Sequence, residues 1–326
     1  MLNFKRFLTF VLTLVLLAAP FIVWWKAQAL TDWWQLRDYT PPAAVANLDR
    51  QDTMTPYATH IFYVNHPDIE SDVTQFRADC TVAEQAIVLG CYHSNQDGIF
   101  IYGVSDSRLN GVEQVTAAHE MLHAAYDRLS KNERNYIDGL LEDYYKNDLK
   151  DQRVIDEING YKQTEPNDVV NEMHSVFGTE VADLPTPLEN YYKRYFTDRH
   201  VITSYAASYQ SEFTSRQDQI KADDAELAQK KTVIDQQEQA LNVQLSQINS
   251  DRARLDSERN SGNASQYNSD VARFNSEVDA YNQGVDQLKA NIAAYNNLVA
   301  ARNNIASELA SLDKDIDTRL VPQATQ

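Results

Sequence analysis

Two histidines and a glutamate follow the spacing His-Glu-x-x-His in the segment TAAHEMLHAAYDRL, residues 116–129. Residues four apart share one face of an α-helix, so His119 and His123 can direct their imidazoles at one metal ion. Glu120 lies about 100° further round the helix axis, within reach of a water molecule beside that ion. Zinc acidifies such a water, and a carboxylate takes its proton as the water attacks a carbonyl carbon. The spacing therefore predicts hydrolysis at one zinc ion, and a buried pair of hydrogen-bonded histidines without a metal is the alternative.

A third ligand is required, because catalytic zinc usually has three protein ligands and one open position. The first candidate is Glu172 in the segment VVNEMHS, which lies in a predicted helix that starts at Asn167 and ends at Gly178. The next candidates are His174 and then Glu180. His174 is about 200° round the helix from Glu172, so we expect only one of these two side chains to face the ion.

The segments HEMLH (119–123) and NEMHS (171–175) together resemble the gluzincin branch of the zincin metallopeptidases, in which two helices supply the zinc ligands. The resemblance implies that His119, His123 and Glu172 bind zinc, that Glu120 is the general base, and that the substrate is a protein or peptide. It also implies an oxyanion-stabilising tyrosine or histidine downstream of the third ligand. By position, the candidates for this donor are Tyr191, Tyr192, Tyr195 and His200.

Short runs of β-branched and aromatic residues precede the histidines, and from Val112 onward the hydrophobic period becomes helical. A group of strands followed by helices predicts an α+β, zincin-like catalytic domain over residues 57–205. The predicted strands are THIFYV (59–64), EQAIVLGCY (84–92) and GIFIYGV (98–104).

The C-terminal part of the chain has the periodicity of a coiled coil. Apolar residues recur every seven positions from Ile220 to Leu255, and after NSGN (260–263) a 4-3 spacing continues from Tyr267. This pattern predicts an antiparallel α-helical coiled-coil hairpin over residues 206–318, followed by a tail, 319–326. Polar residues such as Asp224 occupy the second core position of the first arm, so self-association or a coiled-coil partner is one expectation and a solvated spacer is the alternative.

The N-terminus carries a long apolar run. Lys5 and Arg6 precede nineteen uncharged residues, Phe7 to Trp25, and a helix of that length spans about 29 Å, close to a bilayer core. The run predicts a cytoplasmic tip (1–6), a single-pass transmembrane anchor (7–25) and a juxtamembrane segment (26–56), with the catalytic domain outside the cell membrane. The alternative is a secreted protein, released by cleavage of a signal peptide near Ala29.

The cysteines and the net charge narrow the possibilities further. Cys80 and Cys91 are the only cysteines, and in an exported protein such a pair predicts a disulfide. The net charge of −18 is spread along the chain, which argues against a nucleic-acid partner.

These observations together predict a membrane-anchored, extracytoplasmic zinc peptidase. Two alternatives remain open at the level of the sequence. One is a non-enzymatic envelope scaffold that acts through the coiled coil, and the other is a hydrolase of peptide or amide bonds in the cell wall.

Overall fold

The computed structural model describes residues 7–8, 27–80, 87–94, 98–259 and 263–319. It divides into two units, one made of residues 1–211 with 315–326 and the other of residues 212–314. The helices are α1 (Ala27–Leu36), α2 (Ala43–Gln51), α3 (Pro56–Val64), α4 (Val73–Asp79), α5 (Val112–Asp127), α6 (Lys131–Asn147), α7 (Gln152–Thr164), α8 (Val169–Glu180), α9 (Thr186–Tyr192), α10 (Arg199–Glu258) and α11 (Ala264–Asp315).

Three short strands in the first unit form one sheet: β1 (Asp68–Glu70), β2 (Gly90–His93) and β3 (Gly98–Tyr102). The strand order is β1-β3-β2, with β1 parallel and β2 antiparallel to the central β3. In register, Ile69 of β1 and Gly90 of β2 both lie opposite Ile101 of β3. β2 is therefore an edge strand, and its first residue packs against α5.

The predicted α+β class is wrong, because 77% of the described residues are helical and the sheet is small. The run at 59–64 lies in α3 instead of forming a strand. Thr55 caps this helix by accepting a hydrogen bond from the Ala58 N–H, and Pro56 occupies its first turn. These two start signals and the packing of α3 outweigh the strand preference of its β-branched residues.

The other two predicted strands are shorter than expected. Of 84–92, only Gly90 to Tyr92 lie in β2, and 84–86 fall outside the described residues. The run at 98–104 forms β3, which ends at Tyr102. The third strand of the sheet is the three-residue β1, which is too short to give a periodic signal.

The predicted transmembrane anchor and the cell-membrane location are also contradicted. Across the described residues, no helix combines the length and the apolar character needed to span a bilayer. Most of the predicted span, residues 9–25, lies outside the described residues, as does the whole of the predicted cytoplasmic tip, residues 1–6. The alternative cleavage point near Ala29 lies inside helix α1.

The predicted juxtamembrane segment contributes to the core of the first unit. Val45 and Leu48 on α2 are buried in it. On α1, the buried Asp32 accepts hydrogen bonds of 2.9 Å from both terminal nitrogens of Arg128 and lies 2.9 Å from His60 Nε2. Burial raises the pKa of Asp32, but these hydrogen bonds outweigh it and hold the pKa well below its usual range.

The second unit contains most of the two long C-terminal helices that the heptads predict. Polar contacts pair Asp224 with Arg302 at 2.9 Å and Gln237 with Asn291 at 2.8 Å. Residue numbers rise along α10 as they fall along α11, so the helices are antiparallel. Leu241, one of the heptad residues, is buried between them and faces Gly284.

The close approach of α5 and α8 depends on Gly178. A Cβ atom at this position would overlap Leu122 Cδ1 and lie 2.8 Å from Tyr192 Cε1. The sequence predicts that this helix ends at Gly178, but α8 continues to Glu180. The glycine is therefore required for helix packing rather than for a helix terminus.

We predict that Gly178→Ala lowers the free energy of unfolding by about 1–3 kcal/mol, because Leu122 and Tyr192 are fully buried and must shift. Chemical denaturation of the full chain measures this change. Gly139→Ala is the matched control, since a Cβ atom there meets no other atom within 4 Å. Because Gly139 lies inside α6, replacing it with alanine is expected to raise the free energy of unfolding by up to about 1 kcal/mol. Equal stability of the two variants would contradict the packing role of Gly178.

Candidate metal centre

Helices α5 and α8 bring the three predicted zinc ligands together. His119 and His123 lie one helical turn apart on α5, and Glu172 faces them from the first turn of α8. One ligand atom from each residue lies within 4.8 Å of the other two. His119 Nε2 is 3.7 Å from Glu172 Oε2, and His123 Nε2 is 3.5 Å from Glu172 Oε1.

These separations suit a shared ion. Ligand atoms arranged tetrahedrally at about 2.0–2.1 Å from zinc lie about 3.4 Å from one another. The observed 3.5 Å and 3.7 Å are near that value and longer than a good N–H···O hydrogen bond. Two imidazoles and one carboxylate also form a usual catalytic zinc set, with a fourth position left for substrate or water. The three side chains therefore fit zinc.

The charges of the three groups compensate one another inside the protein. Burial lowers the pKa of His119, but the nearby carboxylates of Glu172 and Glu120 outweigh it and raise this pKa to about 9. Burial raises the pKa of Glu172, and the two histidines outweigh it, so that the pKa is lowered. Without a metal, a protonated imidazole stabilises the carboxylate, and zinc takes the place of that proton when it binds.

Glu120, the predicted general base, is a residue of α5, and its side chain lies against the edge strand β2. Glu120 is 6% exposed. Burial raises the pKa of its carboxyl group, although His119 and His123 oppose the shift. A Cβ at Gly90 would lie 2.8 Å from Glu120 Oε1, so the glycine lets β2 pass directly beside the carboxylate. A raised pKa brings a carboxylate closer to the range in which a general base works best.

The three candidate zinc ligands and Glu120 line a cleft of about 520 Å³. One wall contains the disulfide and β2, and the other contains α7 and the residues between α7 and α8. Besides His119, Glu120, His123 and Glu172, the lining residues are Cys80, Ile87, Val88, Gly90, Cys91, Tyr92, Glu157, Gly160, Tyr161, Thr164, Glu165, Asp168 and Asn171.

The predicted disulfide is confirmed. Cys80, directly after α4, is bonded to Cys91 of β2, with 5.8 Å between their Cα atoms. Both cysteines line the cleft. The bond therefore attaches the edge strand to α4 within one wall of the candidate site.

The structure does not bring Tyr191, Tyr192, Tyr195 or His200 into this cleft. The three tyrosines surround His174, which projects from the side of α8 opposite Glu172. Tyr191 Oη is 2.9 Å from His174 Nε2 and 3.1 Å from Tyr195 Oη, and Tyr192 Oη donates to the His174 carbonyl oxygen at 2.6 Å. His200 is exposed at the start of α10.

The other two candidates for the third ligand also lie elsewhere. His174 is 0% exposed, and burial lowers its pKa to about 3, so the ring is neutral and belongs to the tyrosine cluster. Glu180 Oε2 accepts a hydrogen bond from Arg153 at 2.7 Å. Glu172 is the candidate that remains next to the histidine pair.

The sequence did not indicate that α7 lines the cleft, and two of its lining residues, Glu157 and Tyr161, carry ionisable side chains. Tyr161 is close enough to Glu172 to help to lower the pKa of that carboxyl. Glu157 has its pKa raised to about 8 by burial and by the charge of Glu180, against the opposing charge of Arg153. Both residues lie between the two motifs along the chain, and only the packing of α7 against α8 places them in the site.

We predict that Glu172→Gln weakens zinc binding by about 100-fold or more, since even the loss of a residue that only supports a ligand costs 10- to 100-fold. Metal content after dialysis against a competing chelator measures this. Glu165→Gln is the matched control, because Glu165 lies in the same cleft and belongs with Asp168 and Glu172 to a second group of carboxylates. Equal loss of zinc in Glu165→Gln would favour that acidic group over the histidine site.

Comparisons with models of known families, with curated proteins and with solved structures found no match for this chain. The functional interpretation therefore depends on the geometry of the cleft and on the residues that line it.

Proposed function

We propose that the protein is a zinc-dependent peptidase in which a water molecule attacks the peptide carbonyl and Glu120 is the general base. The observation that carries this proposal is the meeting of His119, His123 and Glu172 within 4.8 Å beside a buried glutamate in an open cleft. A metal site that only stabilised the fold would gain nothing from a carboxylate of raised pKa next to an open coordination position.

Zinc, when bound, supplies Lewis acidity that makes water more acidic and polarises a carbonyl oxygen. The protein supplies the proton transfers. Glu120, whose carboxylate lies beside Gly90, accepts a proton from the attacking water and later delivers it to the leaving amine. Burial raises the pKa of Glu120, and His119 and His123 oppose that rise, which suits a carboxyl group that first accepts and then returns one proton.

The edge strand supports a peptide as the substrate. β2 lines the cleft, and within the described residues its outer edge pairs with no other strand. An extended peptide can add to such an edge through main-chain hydrogen bonds, which hold the chain without requiring a particular side chain. Gly90 then places the bound main chain next to Glu120.

Tyr161 is our proposed donor to the oxygen that becomes negatively charged in the transition state. Tyr161 lines the cleft near Glu172, whereas the four downstream candidates lie outside it. Burial raises the pKa of Tyr161 well above its usual range, with the surrounding carboxylates adding to the shift. The phenol therefore keeps its proton and can donate a hydrogen bond.

We predict that Glu120→Gln retains zinc and lowers kcat for a model peptide by about 10²- to 10⁴-fold, because the amide cannot accept the proton from water. Steady-state cleavage and metal content are measured on the same preparations. Glu142→Gln makes the same change at an exposed position of α6 and should leave both quantities unchanged. Unchanged turnover in a zinc-loaded Glu120→Gln protein would contradict the proposed peptidase.

We also predict that Tyr161→Phe lowers kcat by about 100-fold, the usual effect of losing one oxyanion donor, while KM and zinc content change little. Peptide cleavage over a range of substrate concentrations separates kcat from KM. Tyr136→Phe is the control, since Tyr136 is 60% exposed on α6. Loss of zinc in Tyr161→Phe would instead assign the hydroxyl to holding Glu172.

A further inference from the structure

The chain returns to the first unit after α11 and ends its described part against the cleft. Helix α11 ends at Asp315, and residues 315–319 belong to the unit that contains the metal centre. Thr318 is 0% exposed. Thr318 is held by specific contacts, and these contacts lie in one wall of the cleft.

The Thr318 hydroxyl pairs with both backbone groups of Val88. Its Oγ1 accepts a hydrogen bond from the Val88 N–H at 3.1 Å and donates one to the Val88 carbonyl oxygen at 2.7 Å. A hydroxyl can fill both roles at once. Val88 lies before β2 and outside every strand, so Thr318 stands in for the partner that a neighbouring strand would provide.

Arg77 fixes the backbone of the same C-terminal residues. From α4, its Nε donates to the Thr318 carbonyl oxygen at 2.6 Å, and one terminal nitrogen donates to the Arg319 carbonyl oxygen. The C-terminal segment therefore links α4 to Val88. The Cys80–Cys91 disulfide links the end of α4 to β2, so two connections hold the same wall, one covalent and one made of hydrogen bonds.

This wall is the one that faces the candidate catalytic groups. Val88, Gly90 and Cys91 all line the cleft, and Gly90 lies against Glu120. A shift of the Val88 backbone moves the start of β2, where we propose that the substrate main chain binds.

We propose that Thr318 is a positioning residue for the substrate-binding edge: it holds the Val88 backbone and so aligns the start of β2 with Glu120. This inference rests on the proposed peptidase function. Thr318 lies at the end of the predicted coiled-coil hairpin (206–318), but the helix ends at Asp315, and Thr318 supports a wall of the cleft instead. Thr318 acts through Val88 and touches neither the metal ligands nor the general base.

Thr318→Val in the full chain tests the inference, since valine keeps the shape and leaves both Val88 backbone groups without their hydroxyl partner. We expect KM for a model peptide to rise about tenfold while zinc content and kcat stay near their wild-type values. Hydrogen exchange at residues 88–92 should become faster. Thr318→Ser, which keeps the hydroxyl, should have the KM and the hydrogen-exchange rates of the wild type.

Arg77→Lys provides a second variant if Thr318→Val does not fold. Lysine keeps the charge but cannot make the two-pronged contact to the Thr318 and Arg319 carbonyl oxygens, so KM and exchange should shift in the same direction.

Other outcomes overturn the inference or the function separately. A lower melting temperature with unchanged KM and unchanged exchange at 88–92 would show that Thr318 only stabilises the fold. A zinc-loaded wild-type protein that cleaves no peptide would refute the proposed function. In that case the exchange measurement still decides whether Thr318 orders the wall.

Discussion

The electrostatic balance between two imidazoles and one carboxylate is the constraint on which the rest of the structure depends. His119, His123 and Glu172 are largely withdrawn from water, and a charge buried in this way is costly unless an opposite charge or a metal compensates it. α5 and α8 must therefore lie close enough to bring these groups within a few ångströms. Gly178 permits that approach, because any larger residue would separate the two helices.

The cleft is assembled around this pair of helices from segments far apart in the chain. α7 contributes Glu157 and Tyr161 on one side, and β2 contributes Gly90 and Cys91 on the other. The wall that contains β2 is held by the disulfide and by the residues that follow α11. In the order of the sequence, residues 212–314 of the two long helices are therefore inserted between residues 1–211 and 315–326, which belong to one unit.

Local sequence signals failed where packing decides the conformation. The β-branched run in α3 has the composition of a strand, yet Thr55 and Pro56 start a helix there. The apolar N-terminal run suggested a membrane span, which no helix among the described residues supplies. The family resemblance predicts an oxyanion donor downstream of Glu172, but the three tyrosines there surround His174 on the opposite side of α8. A periodic pattern identifies the face of a helix and not the neighbour that covers it.

The sequence by itself determined what depends on short-range spacing. His119 and His123 share a helix face because they are four residues apart, the heptads specify two long helices, and two lone cysteines form one disulfide. Only the tertiary structure decided which carboxylate meets the histidines, that Tyr161 shares their cleft, and that Thr318 holds its wall. Those contacts join residues distant in sequence, and their energies come from burial and hydrogen bonds that no local pattern encodes.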